Sequence, residues 1–188
     1  MIDINALRKR PTLTGENVRL VPLTEEHADG VHATIANAEV ARLRGAHSKP
    51  GADEVEEWCA GLEGRTDRLD LAITEEPGGR YVGELALVDI DPDNETAEYR
   101  ISLASIEFTG YGIGKEATRL VLAHAFDNLG LHRVWLEVYS FNMRAISAYR
   151  ACGFTVEGRL RETLLWAGRR YDALVMAVLE DEFRKSVS

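Results

Sequence analysis

Cysteine is scarce in this chain. Cys59 and Cys152 are the only two in 188 residues, too few for a disulfide framework and in no metal-ligand spacing. Each reads as a buried thiol of a reducing compartment. Long apolar runs are missing too, since no stretch approaches the roughly 20 residues that a membrane-spanning helix needs. Residues 1–10 read MIDINALRKR and hold no apolar h-region, so no secretory signal is expected and the cytoplasm is the expected location. Positive charge is in deficit: 22 Lys and Arg stand against 31 Asp and Glu, a formal charge of −9. That balance argues against binding to a nucleic-acid backbone and would steer a cationic partner inward. His27, His32, His47 and His124 make no metal-ligand set, so no metal is expected. No repeat or low-complexity segment interrupts the chain. With 45% hydrophobic and 28% charged residues, its composition is that of a globular protein, and its length suits one domain over residues 1–188 with a core from about 14 to 183.

The residue pattern predicts alternating elements. Asn17 to Leu23 alternates as a strand, and Thr24 stands as an N-cap for a helix to about Asn37. Arg44 to Asp53 reads as a loop, followed by a helix to Leu62 opened by an Asp53/Glu56 capping box. Leu69 to Thr74, Tyr81 to Ile90 and Thr96 to Leu103 read as strands separated by Pro- and Gly-rich turns. Gly114 to Leu129 carries a helical apolar stripe, His132 to Tyr139 is a strand, and Asn142 to Ala151 a helix. Phe154 to Leu160 and Leu164 to Val178, folded about Ala167 and Gly168, close the pattern with antiparallel strands. One strand–helix–strand crossover lies at the centre of this mixed α/β layout.

The informative stretch is Thr109 to Lys115, TGYGIGK. Glycines at 110, 112 and 114 between a strand and a helix let backbone approach a ligand, and the helix N-terminus offers unpaired N–H groups to an anion such as a diphosphate. Lys115 in the first turn opposes the helix dipole at about 0.3–1 kcal/mol, a cost that a bound anion offsets. Arg119, one turn on, can serve the same charge. The plainer alternative is a tight turn with Lys115 in solvent. A dinucleotide-binding loop of an oxidoreductase would need G-x-G-x-x-G opening the first crossover, and a P-loop G-x-x-x-x-G-K-[ST]; both fail on spacing.

This segment resembles the [QR]-x-x-G-x-[GA] loop of the GNAT acetyltransferases. Four further stretches are similar to that family in order: Ala97-Glu98-Tyr99-Arg100, Asn142 to Tyr149 (NMRAISAY), Cys152-Gly153-Phe154, and the GRLRE and GRRYD segments of the RimJ/RimL and spermidine-acetyltransferase branches. Thr109 departs from the usual Gln or Arg. The resemblance implies an α/β (α+β) GNAT fold: a mixed, mostly antiparallel sheet of about seven strands, splayed at a central V-shaped cleft and flanked by about four helices. It also implies transfer of acetyl from acetyl-CoA to a primary amine, either a protein N-terminal α-amine or a small molecule such as a polyamine or an antibiotic, in an enzyme that forms a homodimer or a larger assembly.

Site roles follow from the same resemblance. Main-chain groups of Ile101, Ser102 and Leu103 would face the pantetheine; Gly110, Tyr111, Gly112, Ile113, Gly114 and Lys115 would hold the diphosphate, with Asn142 and Arg144 as further cofactor contacts. Glu98 would be the general base and Tyr149 the general acid. Each has a plainer reading: a salt bridge for Glu98, a core aromatic for Tyr149, an N-cap for Asn142, a solvated surface arginine for Arg144. An acetyl-cysteine on Cys152 competes weakly, because no histidine lies near it in sequence. A GNAT-fold module that binds acyl-CoA or a protein without turnover is the non-enzymatic alternative.

Overall fold

A computed structural model describes Leu7 and residues 9–186. Its strands are β1 (Leu13–Thr14), β2 (Val18–Pro22), β3 (Leu69–Glu75), β4 (Tyr81–Asp91), β5 (Thr96–Leu103), β6 (Arg133–Tyr139), β7 (Thr155–Trp166) and β8 (Arg169–Leu179). Its helices are α1 (Ala28–Ala36), α2 (Ala38–Arg44), α3 (Ala52–Ala60), α4 (Ile113–Asp127), α5 (Met143–Arg150) and α6 (Glu180–Ser186). The eight strands form one sheet in the order β1-β2-β3-β4-β5-β6-β8-β7. Every neighbouring pair is antiparallel except β5 and β6. The sheet therefore has the expected mixed, mostly antiparallel character, and β1, α2 and α6 are short elements beyond the expected seven strands and four helices.

Register decides which side chains share a face. Leu71, Leu85, Tyr99, Val134, Leu136, Met176 and Val178 point to one side and pack with Ala117, Val121, Leu122 and Phe126 of α4 and Ile146 of α5. Each fully buried Val, Leu or Phe there contributes about 1.5–3 kcal/mol. Ala72 and Val21 point the other way, into a smaller core with Val31 of α1 and Val55 and Cys59 of α3. The capping box is not where Asp53 and Glu56 suggested: the Glu54 carboxylate accepts from the amide of Gly51 at 2.8 Å, two residues earlier. The expected helix from Thr24 to about Asn37 is present, and α2 is an additional helix that follows it. A 3₁₀ turn (Glu25–His27) precedes α1, and at Asn37 the backbone leaves helical geometry while its side chain accepts from the amides of Glu39 and Val40 to start α2.

The feature that makes a site is the junction of β5 and β6. They pair only at Thr96/Arg133, Ala97/Val134 and Glu98/Trp135. Beyond Glu98 each strand stays bonded to its outer neighbour, β5 to β4 as far as Leu103/Gly83 and β6 to β8 as far as Tyr139/Ala173. The two arms diverge into a V.

Candidate active site

The open end of the V leads to the glycine loop. Gly112 sits at the N-cap of α4 with φ 84°, in the left-handed region that suits glycine. A Cβ on Gly112 or Gly110 would meet no protein atom within 4 Å, so these glycines serve the backbone path and leave the space above it clear. The main-chain N–H groups of residues 110–115 donate to no other described residue; the first amide of the helix with a partner is Glu116, bonded to the Gly112 carbonyl at 2.9 Å. Six consecutive free donors at a helix N-terminus form an anion cradle.

Cations surround it. Lys115 is exposed in the first turn. Glu116 cannot neutralise it, because its carboxylate accepts from the Asn17 main chain (2.8 Å) and side chain (3.0 Å) and so pins β2 to α4. Arg144 reaches from α5 to donate to Thr109 Oγ1 at 2.5 Å, placing a guanidinium at the loop position that lacks one in sequence. Arg119 is committed elsewhere, donating to the Ala151 carbonyl at the end of α5 (2.9 Å).

Along the V, alternate main-chain groups of Ile101, Ser102 and Leu103 point away from β4 into the gap. Glu98 stands at the vertex on the face opposite α4, its two carboxylate oxygens held by Arg100 at 2.9 Å each. The alternative expected for Glu98 was a cross-strand salt bridge; its partner is instead Arg100, two residues along the same strand. Asp89 and Glu137 add negative charge around Arg100, whose guanidinium is raised first by the Glu98 hydrogen bond. Tyr149 approaches from the α4 side. Its ring packs edge-on to Tyr99 at 6.3 Å and tilted to Phe154 at 5.7 Å, while its hydroxyl bonds to no described residue. Burial, then the nearby Cys152, pushes its phenol well above the ordinary range, so it stays protonated at neutral pH. Asn142 caps α5, accepting from the Ala145 amide at 3.2 Å.

Cys152 is buried, its thiol raised by burial and turned to the Lys115 carbonyl at 3.6 Å, an arrangement that favours packing over nucleophilic attack. Among the described residues no three His, Cys, Asp or Glu side chains converge on a metal position.

Sequence reasoning missed part of the site. Asp172 accepts from the Glu162 amide (2.7 Å) and from Arg159, while its carbonyl accepts from the Ser140 amide (2.8 Å); it joins the β7–β8 hairpin to the segment before α5. Tyr139, Phe141 and Tyr171 form an aromatic cluster beside the V, with Phe141 5.7 Å from Tyr139 and 4.9 Å from Tyr171. The available signal was a carboxylate adjoining an apolar run, Ala173 to Leu179 for Asp172 and Leu85 to Val88 for Glu84.

A sheet parted between parallel central strands, with free amides at the following helix, defines a protein that takes an acyl-CoA into the gap. Residues 17–155 match the family described as Acetyltransferase (GNAT) domain, and the chain belongs to that family. It is an acetyl-CoA-dependent N-acetyltransferase with an amine acceptor. The spermidine N(1)-acetyltransferase of Escherichia coli (strain K12) is 29% identical over 170 residues, covering 90% of each chain. The SPbeta prophage-derived uncharacterized N-acetyltransferase YokL of Bacillus subtilis (strain 168) is 29% identical over 171 residues, 90% of this chain and 94% of its own. The spermidine N-acetyltransferase of Vibrio cholerae, solved with CoA and spermine, superposes with a TM-score of 0.83 at 23% identity over 89% of this chain and 98% of its own, a likeness of fold. Family membership decides for an enzyme over a binding module, and the strand order excludes the dinucleotide fold.

Proposed function

We infer that this enzyme acetylates a primary amine presented from the face opposite α4, with the amides of residues 110–115 holding the CoA diphosphate and Arg144 and Lys115 balancing its charge. The free amide run is the observation that carries this reading. Arg144 stands in for the cation that Thr109 does not provide. Acetyl-CoA supplies an activated acyl group, and the chain's residues manage protons. An aliphatic amine, with a pKa near ~10, arrives as an ammonium that cannot attack. Of the two protons its nitrogen loses, one leaves through Glu98, directly or by one water, and the other replaces the proton that Tyr149 gives to the departing thiolate. Main-chain N–H groups of Ile101 to Leu103 face the pantetheine and the carbonyl oxygen as it gains charge.

A polyamine acceptor is favoured by the carboxylates Asp89, Glu98 and Glu137 around the vertex and by the spermidine acetyltransferases among the relatives. The alternative acceptor is a peptide N-terminal α-amine. We also propose a cytoplasmic enzyme assembled at least as a homodimer; no helix among the described residues is long and apolar enough to cross a membrane. Thiol release from acetyl-CoA, measured over spermidine, spermine, aminoglycosides and short peptides, tests the function. Turnover is expected with at least one amine, and CoA binding without release for any would overturn it.

A further inference from the structure

Residues 42–47 lie over the V, with Arg42 and His47 on one arm and Arg44 between them reaching the other. On the β4/β5 arm, Arg44 Nη1 lies 3.7 Å from the Glu84 carboxylate. At mid-span Gly45, left-handed at φ 65°, lies against the Tyr139 hydroxyl so closely that a Cβ there would collide with it. On the far arm Arg42 sits 4.7 Å over the Phe141 ring, and the His47 ring stacks on Trp166 at 5.1 Å. This strap covers the face opposite α4, the side from which the amine must reach the vertex.

The far moorings are aromatic and uncharged on the sheet side. The near one is a carboxylate between the buried residues Val82 and Leu85 of β4. Glu84 pairs in register with Ser102 of β5, beside the gap, and receives a hydrogen bond from the Tyr81 hydroxyl. That hydroxyl is 3.5 Å from Thr34 Oγ1 of α1, so the cluster also ties α1 to the sheet.

We propose that Glu84 is a positioning residue for the acceptor amine: when ionised it moors the middle of the 42–47 strap through Arg44, and when neutral it releases that mooring. This rests on the acetyltransferase reading above. Only 14% of the side chain is exposed. Burial, opposed by the Tyr81 hydrogen bond and Arg44, with Asp70 adding to the rise, brings its carboxyl up to about 7, so the mooring is present above that pH and lost below it. Three other groups near it are moved away from that range: Tyr81 is raised, first by burial; Cys59 of α3 is raised by burial to about 11; and His27, 6.3 Å from the Tyr81 ring, is lowered by burial. Asp70 of β3 is bidentately paired with Arg68 (2.6 Å). The expected effect is modest, because the Arg44 side chain is 40% exposed.

The test is amide exchange of residues 38–47 in the CoA-bound enzyme at pH 6 and pH 8, corrected for intrinsic rates, in wild type, Glu84→Gln and Arg44→Met. Wild-type protection should fall about threefold between pH 8 and pH 6, as loss of a half-exposed pair implies. Both variants should show no such step. With spermidine as acceptor probe, the KM ratio of Glu84→Gln to wild type should change by a similar factor between the two pH values, leaving the KM for acetyl-CoA unaltered; the amine's own titration cancels in that ratio. A wild-type step that persists in Glu84→Gln, or a segment equally protected at both pH values, overturns the inference. A wild type that releases thiol with no amine overturns the transferase reading instead, which the exchange measurement would not do.

Discussion

Tyr149 is held by two aromatic rings and nothing polar, which leaves its one proton available and its phenol neutral. Tyr149→Phe should lower kcat by ~10²-fold in a thiol-release assay and leave the KM for acetyl-CoA nearly unchanged, since the ring stays. Equal turnover would remove the residue from the reaction. Its expected role comes from the family resemblance, carried by the Asn seven residues earlier and the Cys-Gly-Phe turn after it, and the sequence also allowed the core aromatic that its packing shows. Of the two readings of Asn142, the helix cap is the one seen: its side chain accepts from the Ala145 amide. Arg144 was legible only as a cation; that it answers the missing charge at Thr109 depends on a contact across 35 residues of chain, which no local pattern encodes.

Among the elements, β5 and α4 form the working pair. Tyr99 of β5 is buried and bonds to Thr118 of α4 at 2.9 Å. Thr118 spends its own proton on the Gly114 carbonyl (2.6 Å), so Tyr99 is the donor of the pair. Tyr99→Phe should cost about 1 kcal/mol, read as a Tm lower by about 2–4 °C for a chain of this size. At the loop, Gly112→Val forces a branched side chain into φ 84° and into the space above the amides. CoA binding by calorimetry should be lost with the far-ultraviolet circular dichroism retained; normal affinity would mean the diphosphate lies elsewhere. Strands such as β2 and β6, and α4, were readable from apolar period because each buries one face. The end of α1 near Asn37 was readable too, but the restart as α2 was not. Asn37 caps the new helix by accepting from the amides of Glu39 and Val40, and Val40 and Ala41 are buried.

Across the whole molecule, the V arises from long-range pairing, and no stretch of sequence states where β5 and β6 stop being neighbours. Only the family resemblance supplied it. Glu84 lies within that architecture and carries a consequence for stability. Its carboxyl is raised in the fold from an ordinary 4.5 to about 7, so the native state keeps a proton that the unfolded chain gives up. Its stabilising contribution is full below about pH 4.5 and lost as pH rises through about 7. Glu84→Gln should therefore gain Tm relative to wild type between pH 5 and pH 8, by a few degrees; parallel Tm curves for the two proteins would refute the shift. The central claim concerns the amides of residues 110–115, and a crystal structure of the complex with CoA tests it most directly. The account expects the two phosphates within hydrogen-bonding distance of those N–H groups and the pantetheine between β5 and β6. A coenzyme bound elsewhere, with those amides left to solvent, would contradict it.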